Sequence, residues 1–124
     1  MSLRVFIVDD DRDHAESIAD ILALQGDDVV LAFSGEEAVR RFGEQAFDLT
    51  LMDVKLPGMN GVEAFFELRR QRPDAIVVMM TGFSLEHLLA QAMLSGADGI
   101  LHKPFAAAQL LEAITHATAS RRAA

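Results

Sequence analysis

Short apolar runs alternate along this chain with longer segments in which apolar residues recur at helical spacing. A short apolar run bounded by turn formers favours a buried strand, and a 3.6-residue recurrence favours an amphipathic helix. Strands are predicted over Arg4–Val8, Val29–Ala32, Phe47–Met52, Ala75–Met80 and Asp98–His102. Helices are predicted over Asp13–Gln25, Glu36–Gln45, Val62–Gln71, Ser84–Leu94 and about Ala106–Ala119. Five such pairs predict an α/β fold: a doubly wound, five-stranded parallel sheet with helices on both faces.

Single residues support the helix and core assignments. The apolar stripe of the first helix comprises Ala15, Ile18, Ile21, Leu22 and Leu24. Ser34 and Ser84 stand where N-caps are expected. Methionine at strand or helix positions is usually a gap filler in a core, which is the interpretation for Met52, Met79, Met80 and Met93.

Polar residues that can do chemistry follow the predicted strands. These are Asp9, Asp10, Asp53, Thr81 and Lys103. In open α/β sheets, ligands bind beyond the carboxyl ends of the strands, so these side chains should converge there. Three close carboxylates repel one another unless a cation lies between them, and Mg²⁺ prefers oxygen ligands. With a hydroxyl and an ammonium group nearby, the set is typical of phosphoryl transfer to a carboxylate nucleophile.

Composition narrows the function classes. The 124 residues are 51% hydrophobic and 24% charged, as in one globular domain, and 19 acidic against 11 basic residues give a net charge of −8. That charge argues against direct binding to nucleic acid or to an anionic membrane. The absence of cysteine suits the cytoplasm, which is the expected compartment. No apolar run approaches the roughly 18 residues of a membrane span.

Taken singly, each of these residues is more often a loop or cap feature; their joint occurrence after four strands is the specific signal. The motifs are Val8-Asp9-Asp10-Asp11, Leu51 through Gly61 (LMDVKLPGMNG), Met80-Thr81-Gly82, and Gly96-Ala97-Asp98 leading to Lys103-Pro104-Phe105. In this order, from Arg4 to about Ala119, the chain resembles a response-regulator receiver domain of two-component signal transduction. The resemblance implies a flavodoxin-like (βα)5 fold with strand order 2-1-3-4-5.

The resemblance also implies a role for each site residue. Asp53 would be the phosphoacceptor, Asp10 a direct Mg²⁺ ligand, and Asp9 an acidic partner reaching the metal through water. The backbone carbonyl of Lys55 would complete the protein ligands. Thr81 would be the switch hydroxyl and Lys103 the cation that contacts the phosphoryl group, in a family where the following peptide bond to proline is typically cis.

Three positions bear on switching and on phosphoryl lifetime. The family often has tyrosine or phenylalanine three residues before the lysine, and here that residue is Ile100. The loop after Thr81 and the helix from Ser84 would then transmit the signal. Lys55 and Phe83 stand where side chains admit or block the hydrolytic water, and a bulky Phe83 is expected to slow hydrolysis.

The resemblance further implies partners. A sensor histidine kinase or a histidine phosphotransfer protein would donate the phosphoryl group, and a downstream output domain or protein would contact the face formed by residues 84–119. Leu85, Leu88, Leu89, Ile100 and Ala107 are the side chains expected there. Residues 1–124 are expected to form a single receiver domain with a core over about 4–119, residues 120–124 being a terminus or the start of a linker. Homodimerisation on phosphorylation is a further expectation.

Three alternatives remain to be compared with this interpretation. A Mg²⁺-dependent phosphohydrolase resembling the haloacid dehalogenases needs a second acid two residues after the nucleophile, where this chain has Lys55. A pseudo-receiver would keep the fold and signal only through protein contacts. A nucleotide-binding module is disfavoured because no glycine-rich phosphate loop follows any strand. The dispersed histidines, His14, His87, His102 and His116, are expected to have surface or packing roles.

Overall fold

The computed structural model describes residues 2–82, 90 and 96–123. Its strands are β1 (Arg4–Val8), β2 (Asp28–Ala32), β3 (Leu49–Asp53), β4 (Val77–Thr81) and β5 (Gly99–His102). Its helices are α1 (Arg12–Leu24), α2 (Gly35–Glu44), α3 (Gly61–Gln71) and α4 (Ala107–Ala123). Within the described residues, the strands and helices follow the predicted order.

All strand pairs are parallel, and the sheet order is β2-β1-β3-β4-β5. The predicted doubly wound sheet and its 2-1-3-4-5 order are therefore confirmed. Because the winding changes direction beside β1, the carboxyl ends of β1 and β3 are neighbours, and Val8 lies opposite Met52. A crevice at this point of the sheet is where such folds bind ligands.

Two hydrophobic cores cover the two faces of the sheet. One packs α2 and α3 on side chains such as Phe6, Met52 and Met79. The other packs α1 and α4 on side chains such as Ile7 and Met80. Alternate residues of β1 and β4 thus enter opposite cores, as the two-residue period of a strand requires. The central strands β3 and β4 are buried along their whole length, which explains their nearly continuous apolar sequence.

Some predicted details need correction. Leu24 was expected on the buried stripe of α1, but it is 87% exposed, because at 3.6 residues per turn it lies on the side of the helix opposite the buried Ala15 and Leu22. Strands β3 and β4 begin two residues later than predicted and include Asp53 and Thr81 as their last residues. Both polar residues pair within the sheet, so the ladder continues one residue past the apolar run.

Side-chain caps fix where three helices begin. The Asp11 carboxylate accepts from the backbone N–H of His14 at the start of α1, and the predicted cap Ser34 accepts from Glu37 at the start of α2. Asn60 forms a capping box at the start of α3. Each cap satisfies an N–H group that has no partner inside its helix. The caps of α1 and α3 anchor the loops that follow β1 and β3.

The loop between β3 and α3 requires a glycine at Gly61. Its N–H donates to the Val54 carbonyl at 2.9 Å, and a Cβ built on Gly61 would lie 1.9 Å from the Asp53 carbonyl oxygen. No side chain fits at that distance from backbone. The start of α3 is therefore packed directly against the end of β3.

Arg69 connects α3 to the segment before β5. Its guanidinium donates to the carbonyl oxygens of Ala75 and Gly96, both at 2.8 Å, and to the Asp98 carboxylate at 2.9 Å. Asp98 in turn accepts from the Val77 N–H at 2.8 Å. The Arg69 and Asp98 side chains are only 15% and 10% exposed. This network positions the first residues of both β4 and β5.

Two expectations lie outside the described residues: the N-cap at Ser84 with the helix to Leu94, of which only the helical Ala90 is described, and the core position of Met93. Within the described ranges, no helix is long and apolar enough to cross a membrane.

Replacing Arg69 with methionine should destabilise the domain. The change keeps the aliphatic stem but removes the guanidinium that bonds the nearly buried Asp98 carboxylate and two backbone carbonyls, so the free energy of unfolding should fall by about 2 kcal/mol in urea titrations. Arg70→Met is the matched control, since the exposed pair of Arg70 with Glu67 should contribute almost nothing. Equal losses for the two variants would contradict the role given to Arg69.

Replacing Gly61 with alanine should also destabilise the domain, because the new methyl group overlaps the Asp53 carbonyl and must displace the β3–α3 loop. We expect a loss of at least about 2 kcal/mol in thermal or urea unfolding. Gly43→Ala on α2 is the control: its Cβ meets only the movable Gln71 side chain, and alanine in a helix gains up to about 1 kcal/mol over glycine. A stable Gly61→Ala protein would show that the loop tolerates a side chain.

Candidate functional site

Two buried carboxylates lie at the carboxyl ends of adjacent strands. Asp9 directly follows β1, with its N–H donating to Ala32 of β2 at 3.1 Å, and Asp53 is the last residue of β3. Asp9 is fully buried and Asp53 is 5% exposed. The parallel pairing of β1 with β3 brings the two acids together, as the sequence predicted.

Asp10 adds a third, exposed carboxylate beside this pair. Oxygen atoms of Asp9, Asp10 and Asp53 all lie within 4.8 Å of one another, close enough to share one metal ion. The donors are all carboxylate oxygens, the type that hard divalent cations prefer. The three acids predicted to bind a metal are thus brought together in a group that could hold one.

Lys103 supplies the positive charge of the site. Its Nζ donates to Asp9 Oδ2 at 2.9 Å and to Asp53 Oδ2 at 3.0 Å, and so bridges the two carboxylates. The Lys103 backbone N–H donates to the Thr81 carbonyl at 2.7 Å, which fixes the residue just beyond β5. The peptide bond between Lys103 and Pro104 is cis, as the resemblance implied.

The remaining predicted residues lie at the same edge. Thr81 is the last residue of β4, 4% exposed, opposite His102 of β5. The Lys55 N–H donates to Asp53 Oδ1 at 3.2 Å, so both oxygens of Asp53 accept a hydrogen bond. A cleft of about 500 Å³ opens above these groups. Its lining residues are Asp9, Asp10, Asp11, Asp53, Lys55, Leu56, Pro57, Gly82 and Lys103.

The pKa values of the two buried acids are shifted in opposite directions. Burial raises the pKa of Asp53 to about 6, and the charge of Asp9 adds to the rise against the opposing effect of Lys103. Burial also acts to raise the pKa of Asp9, but hydrogen bonds from His14 and Lys103 outweigh it and lower that pKa. Burial opposes the charge of Lys103, yet its two carboxylate partners keep its pKa above the ordinary value.

One ammonium group therefore faces three carboxylates. With Asp9, Asp10 and Asp53 ionised, the site keeps two uncompensated negative charges (three minus one). This negative charge adds to the effect of burial in opposing the ionisation of Asp53, whose pKa is raised. The arrangement favours binding of a cation in the cleft.

The ring of His14 packs edge-on against Phe105, in keeping with the packing role expected for it. The sequence analysis did not place His14 at the site, where its Nδ1 lies 2.6 Å from Asp9 Oδ2. Recognising Asp11 as the N-cap would have placed His14 in the first turn of α1, near the end of β1. His102 and His116 are exposed, as expected, and His87 lies outside the described residues.

The expected output face is described only in part. Ile100 is partly exposed and lines an apolar groove with Leu111 and Phe105 between β5 and α4, and Ala107 is exposed. The expected residues Leu85, Leu88 and Leu89, and the Phe83 expected to affect hydrolysis, lie outside the described ranges.

Known proteins share this sequence pattern and fold. The family model described as response regulator receiver domain matches residues 5–115. A response regulator receiver protein of Anaeromyxobacter sp. (strain Fw109-5) is 38% identical over 109 residues, which cover 88% of this chain and 46% of that protein. The chemotaxis protein CheY of Bacillus subtilis (strain 168) is 35% identical over 115 residues, which cover 92% of this chain and 96% of CheY.

A solved structure agrees with these sequence matches. The crystal structure of a CheY-like response regulator receiver domain protein from Methanospirillum hungatei JF-1 superposes with a TM-score of 0.93 at 30% identity, covering 98% of both chains. The chain spans about a quarter to a half of the length of several curated relatives that it matches. The family match over residues 5–115 includes Asp9, Asp53 and Lys103, so the chain belongs to the response regulator receiver domain family.

Proposed function

We propose that this receiver domain takes a phosphoryl group onto Asp53 in a Mg²⁺-dependent reaction and thereby switches its conformation. The observation that carries the proposal is the bridging of Asp9 and Asp53 by Lys103 Nζ, at 2.9 and 3.0 Å, beside the third carboxylate of Asp10. A nucleophile, a fixed cation and a cluster of metal-binding oxygens therefore share one cleft, as in-line phosphoryl transfer requires.

The donor set fits Mg²⁺. Asp9, Asp10 and Asp53 offer only oxygen atoms, and their mutual repulsion is incompletely offset by Lys103. We assign these three residues and the backbone carbonyl of Lys55 as the groups that hold the ion. When bound, Mg²⁺ would neutralise charge on the carboxylates and on the phosphoryl oxygens. The cluster does not resemble a zinc site of histidines and thiolates, because all three side-chain donors are carboxylates.

The protein groups then have separate tasks in the transfer. An Asp53 oxygen forms the new bond to phosphorus while the donor's bond to phosphorus breaks; with acetyl phosphate, acetate leaves as an anion and no proton needs to move. The N–H of Lys55 and the ammonium of Lys103 orient the Asp53 carboxylate. Lys103 then moves from Asp53 to the phosphoryl oxygens, and the Thr81 hydroxyl turns toward the same group as the switch.

A receiver of this kind would catalyse only its own phosphorylation and dephosphorylation. Its donor would be a sensor histidine kinase or a histidine phosphotransfer protein, and its output would pass through the face formed by residues 84–119 to a downstream domain or protein. Phosphorylation would shift a pre-existing equilibrium between two conformations, with homodimerisation as one consequence. We place this activity in the cytoplasm.

Acetyl phosphate tests the proposed chemistry directly. Intact-mass spectrometry of the wild type with Mg²⁺ should show one added phosphoryl group that hydroxylamine removes, and EDTA should abolish it. Asp53→Asn should show none, because the amide is no nucleophile, whereas Asp20→Asn, an equal charge change on the exposed face of α1, should behave as the wild type. An adduct of equal yield on Asp53→Asn would refute the assignment.

Two other results would favour other functions. Steady hydrolysis of an external phosphomonoester would indicate a phosphohydrolase. No adduct from acetyl phosphate or from a phosphorylated histidine kinase would indicate a pseudo-receiver.

The raised pKa of Asp53 predicts a pH-dependent stability. The folded protein binds a proton at Asp53 up to about pH 6, and the unfolded chain only up to the ordinary aspartate pKa of 3.8. The free energy of unfolding should therefore fall as the pH rises from about 4 to 6, and ionised Asp53 should destabilise the metal-free domain at neutral pH by at most about 3 kcal/mol.

Asp53→Asn should therefore raise the melting temperature in EDTA at pH 7.5, with a much smaller gain at pH 4.5, where Asp53 is protonated. Circular dichroism melts measure both values, and Asp20→Asn controls for net charge. Saturating Mg²⁺ should reduce the gain, because it stabilises the wild type by binding. A lower melting temperature for Asp53→Asn at pH 7.5 in EDTA would show that the Lys103 contact outweighs the burial of the charge.

A further inference from the structure

His14 lies in direct contact with the site, although no step of the proposed phosphoryl transfer uses it. It is the third residue of α1, and its side chain is 27% exposed. Its Nδ1 lies 2.6 Å from Oδ2 of the fully buried Asp9. At that distance two acceptors would repel, so Nδ1 carries the hydrogen and donates it to the carboxylate.

A closed ring of three hydrogen bonds holds this contact in place. The Asp11 N–H donates to Asp9 Oδ1 at 3.0 Å, and the His14 N–H donates to Asp11 Oδ1 at 3.1 Å. The imidazole then returns to Asp9 Oδ2. Both Asp9 oxygens are thus fixed by residues at the start of α1. The hydrogen bonds that fix them join residues close in sequence.

The imidazole is also held from its other side. The Phe105 ring meets it edge-on, with centroids 5.4 Å apart and planes 67° apart. Phe105 is two residues after Lys103, so the segment that carries the site's cation also packs on the histidine. The orientation of Nδ1 toward Asp9 is therefore set by packing as well as by hydrogen bonding.

Asp9 Oδ2 has two donors, and one of them, Lys103, is the cation that moves in the proposed reaction. Lys103 Nζ bonds Asp9 Oδ2 at 2.9 Å as well as Asp53 Oδ2 at 3.0 Å. When Lys103 turns to a phosphoryl group on Asp53 and releases Asp9, Oδ1 keeps its bond from the Asp11 N–H and Oδ2 keeps only His14. A buried carboxylate oxygen without a donor is costly, so the second donor on Oδ2 makes the movement of Lys103 easier.

We propose that His14 is a positioning residue: it holds the Asp9 carboxylate in the orientation that serves the metal, and it keeps Asp9 hydrogen-bonded when Lys103 moves to the phosphoryl group. This inference rests on the proposed function of Asp53 and Mg²⁺. Groups that orient a metal-binding side chain commonly change metal affinity 10- to 100-fold when they are removed.

Three substitutions separate positioning from packing. His14→Leu keeps the contact with Phe105 but has no donor. His14→Asn places an amide N–H near the position of Nδ1, and His14→Gln has the same amide one bond further out, near Nε2. We expect Leu and Gln to be impaired and Asn to restore most of the wild-type behaviour.

The first readout is Mn²⁺ binding to the unphosphorylated protein, followed by electron paramagnetic resonance, since Mn²⁺ accepts the same oxygen ligands as Mg²⁺. His14→Leu and His14→Gln should bind Mn²⁺ about 10-fold more weakly than the wild type. The second is the rate of phosphorylation by acetyl phosphate at saturating Mg²⁺, which should fall for the same two variants and recover in His14→Asn. Thermal melts confirm that each variant is folded, and if His14→Leu is not, the comparison of Asn with Gln decides.

The outcomes distinguish this inference from the proposed function. A folded His14→Leu or His14→Gln protein with wild-type Mn²⁺ affinity and phosphorylation rate would overturn the positioning role, as would His14→Asn impaired to the level of His14→Gln. A wild-type protein that takes no phosphoryl group from acetyl phosphate or a histidine kinase would instead overturn the proposed function. Rescue by asparagine alone supports the role of His14.

Discussion

The ion pair that Lys103 forms with Asp9 and Asp53 is the constraint on which the site depends. Two carboxylates at the ends of neighbouring strands repel each other, and in a buried position the repulsion is poorly screened. A single ammonium group between them offsets part of it, while burial, and after it the charge of Asp9, still raises the pKa of Asp53 to about 6. Lys103 therefore reduces the repulsion between the two carboxylates, and the remaining negative charge of the site still attracts a cation.

The fold serves this ion pair from three directions. The parallel pairing of β1 with β3 brings the two acids together, and the N–H of Lys103, just beyond β5, donates to the carbonyl of Thr81 at the end of β4. The close approach of Gly61 to the Asp53 carbonyl packs the start of α3 against the end of β3. The Arg69 and Asp98 contacts join α3 to the segments where β4 and β5 begin, so residues away from the cleft hold together the strands that carry the site.

Much of this arrangement could be predicted from the sequence, since apolar runs and turn residues specify the order of elements and the sheet places strand ends together. The ends themselves were less predictable: Asp53 and Thr81 are polar, so hydrophobicity alone placed them outside strands that in fact contain them. Leu24 failed for a different reason: it is out of phase with Ala15 and Leu22 and therefore lies on the solvent side of α1. The resemblance to receivers, and not periodicity, supplied the roles of the site residues.

His14 shows why side-chain partners are harder to predict than folds. Its contact with Asp9 depends on a helix that begins one residue earlier than the apolar pattern suggests, and on a cap that turns residue 14 back over the strand end. A dispersed histidine carries no pattern of its own in one sequence, so surface placement was the natural expectation. Yet the Asp11 cap, the Asp9 carboxylate and the His14 imidazole are joined by a cycle of hydrogen bonds. Once the helix start is known, local hydrogen bonds place His14, which lies outside every motif, on the same Asp9 oxygen that Lys103 contacts.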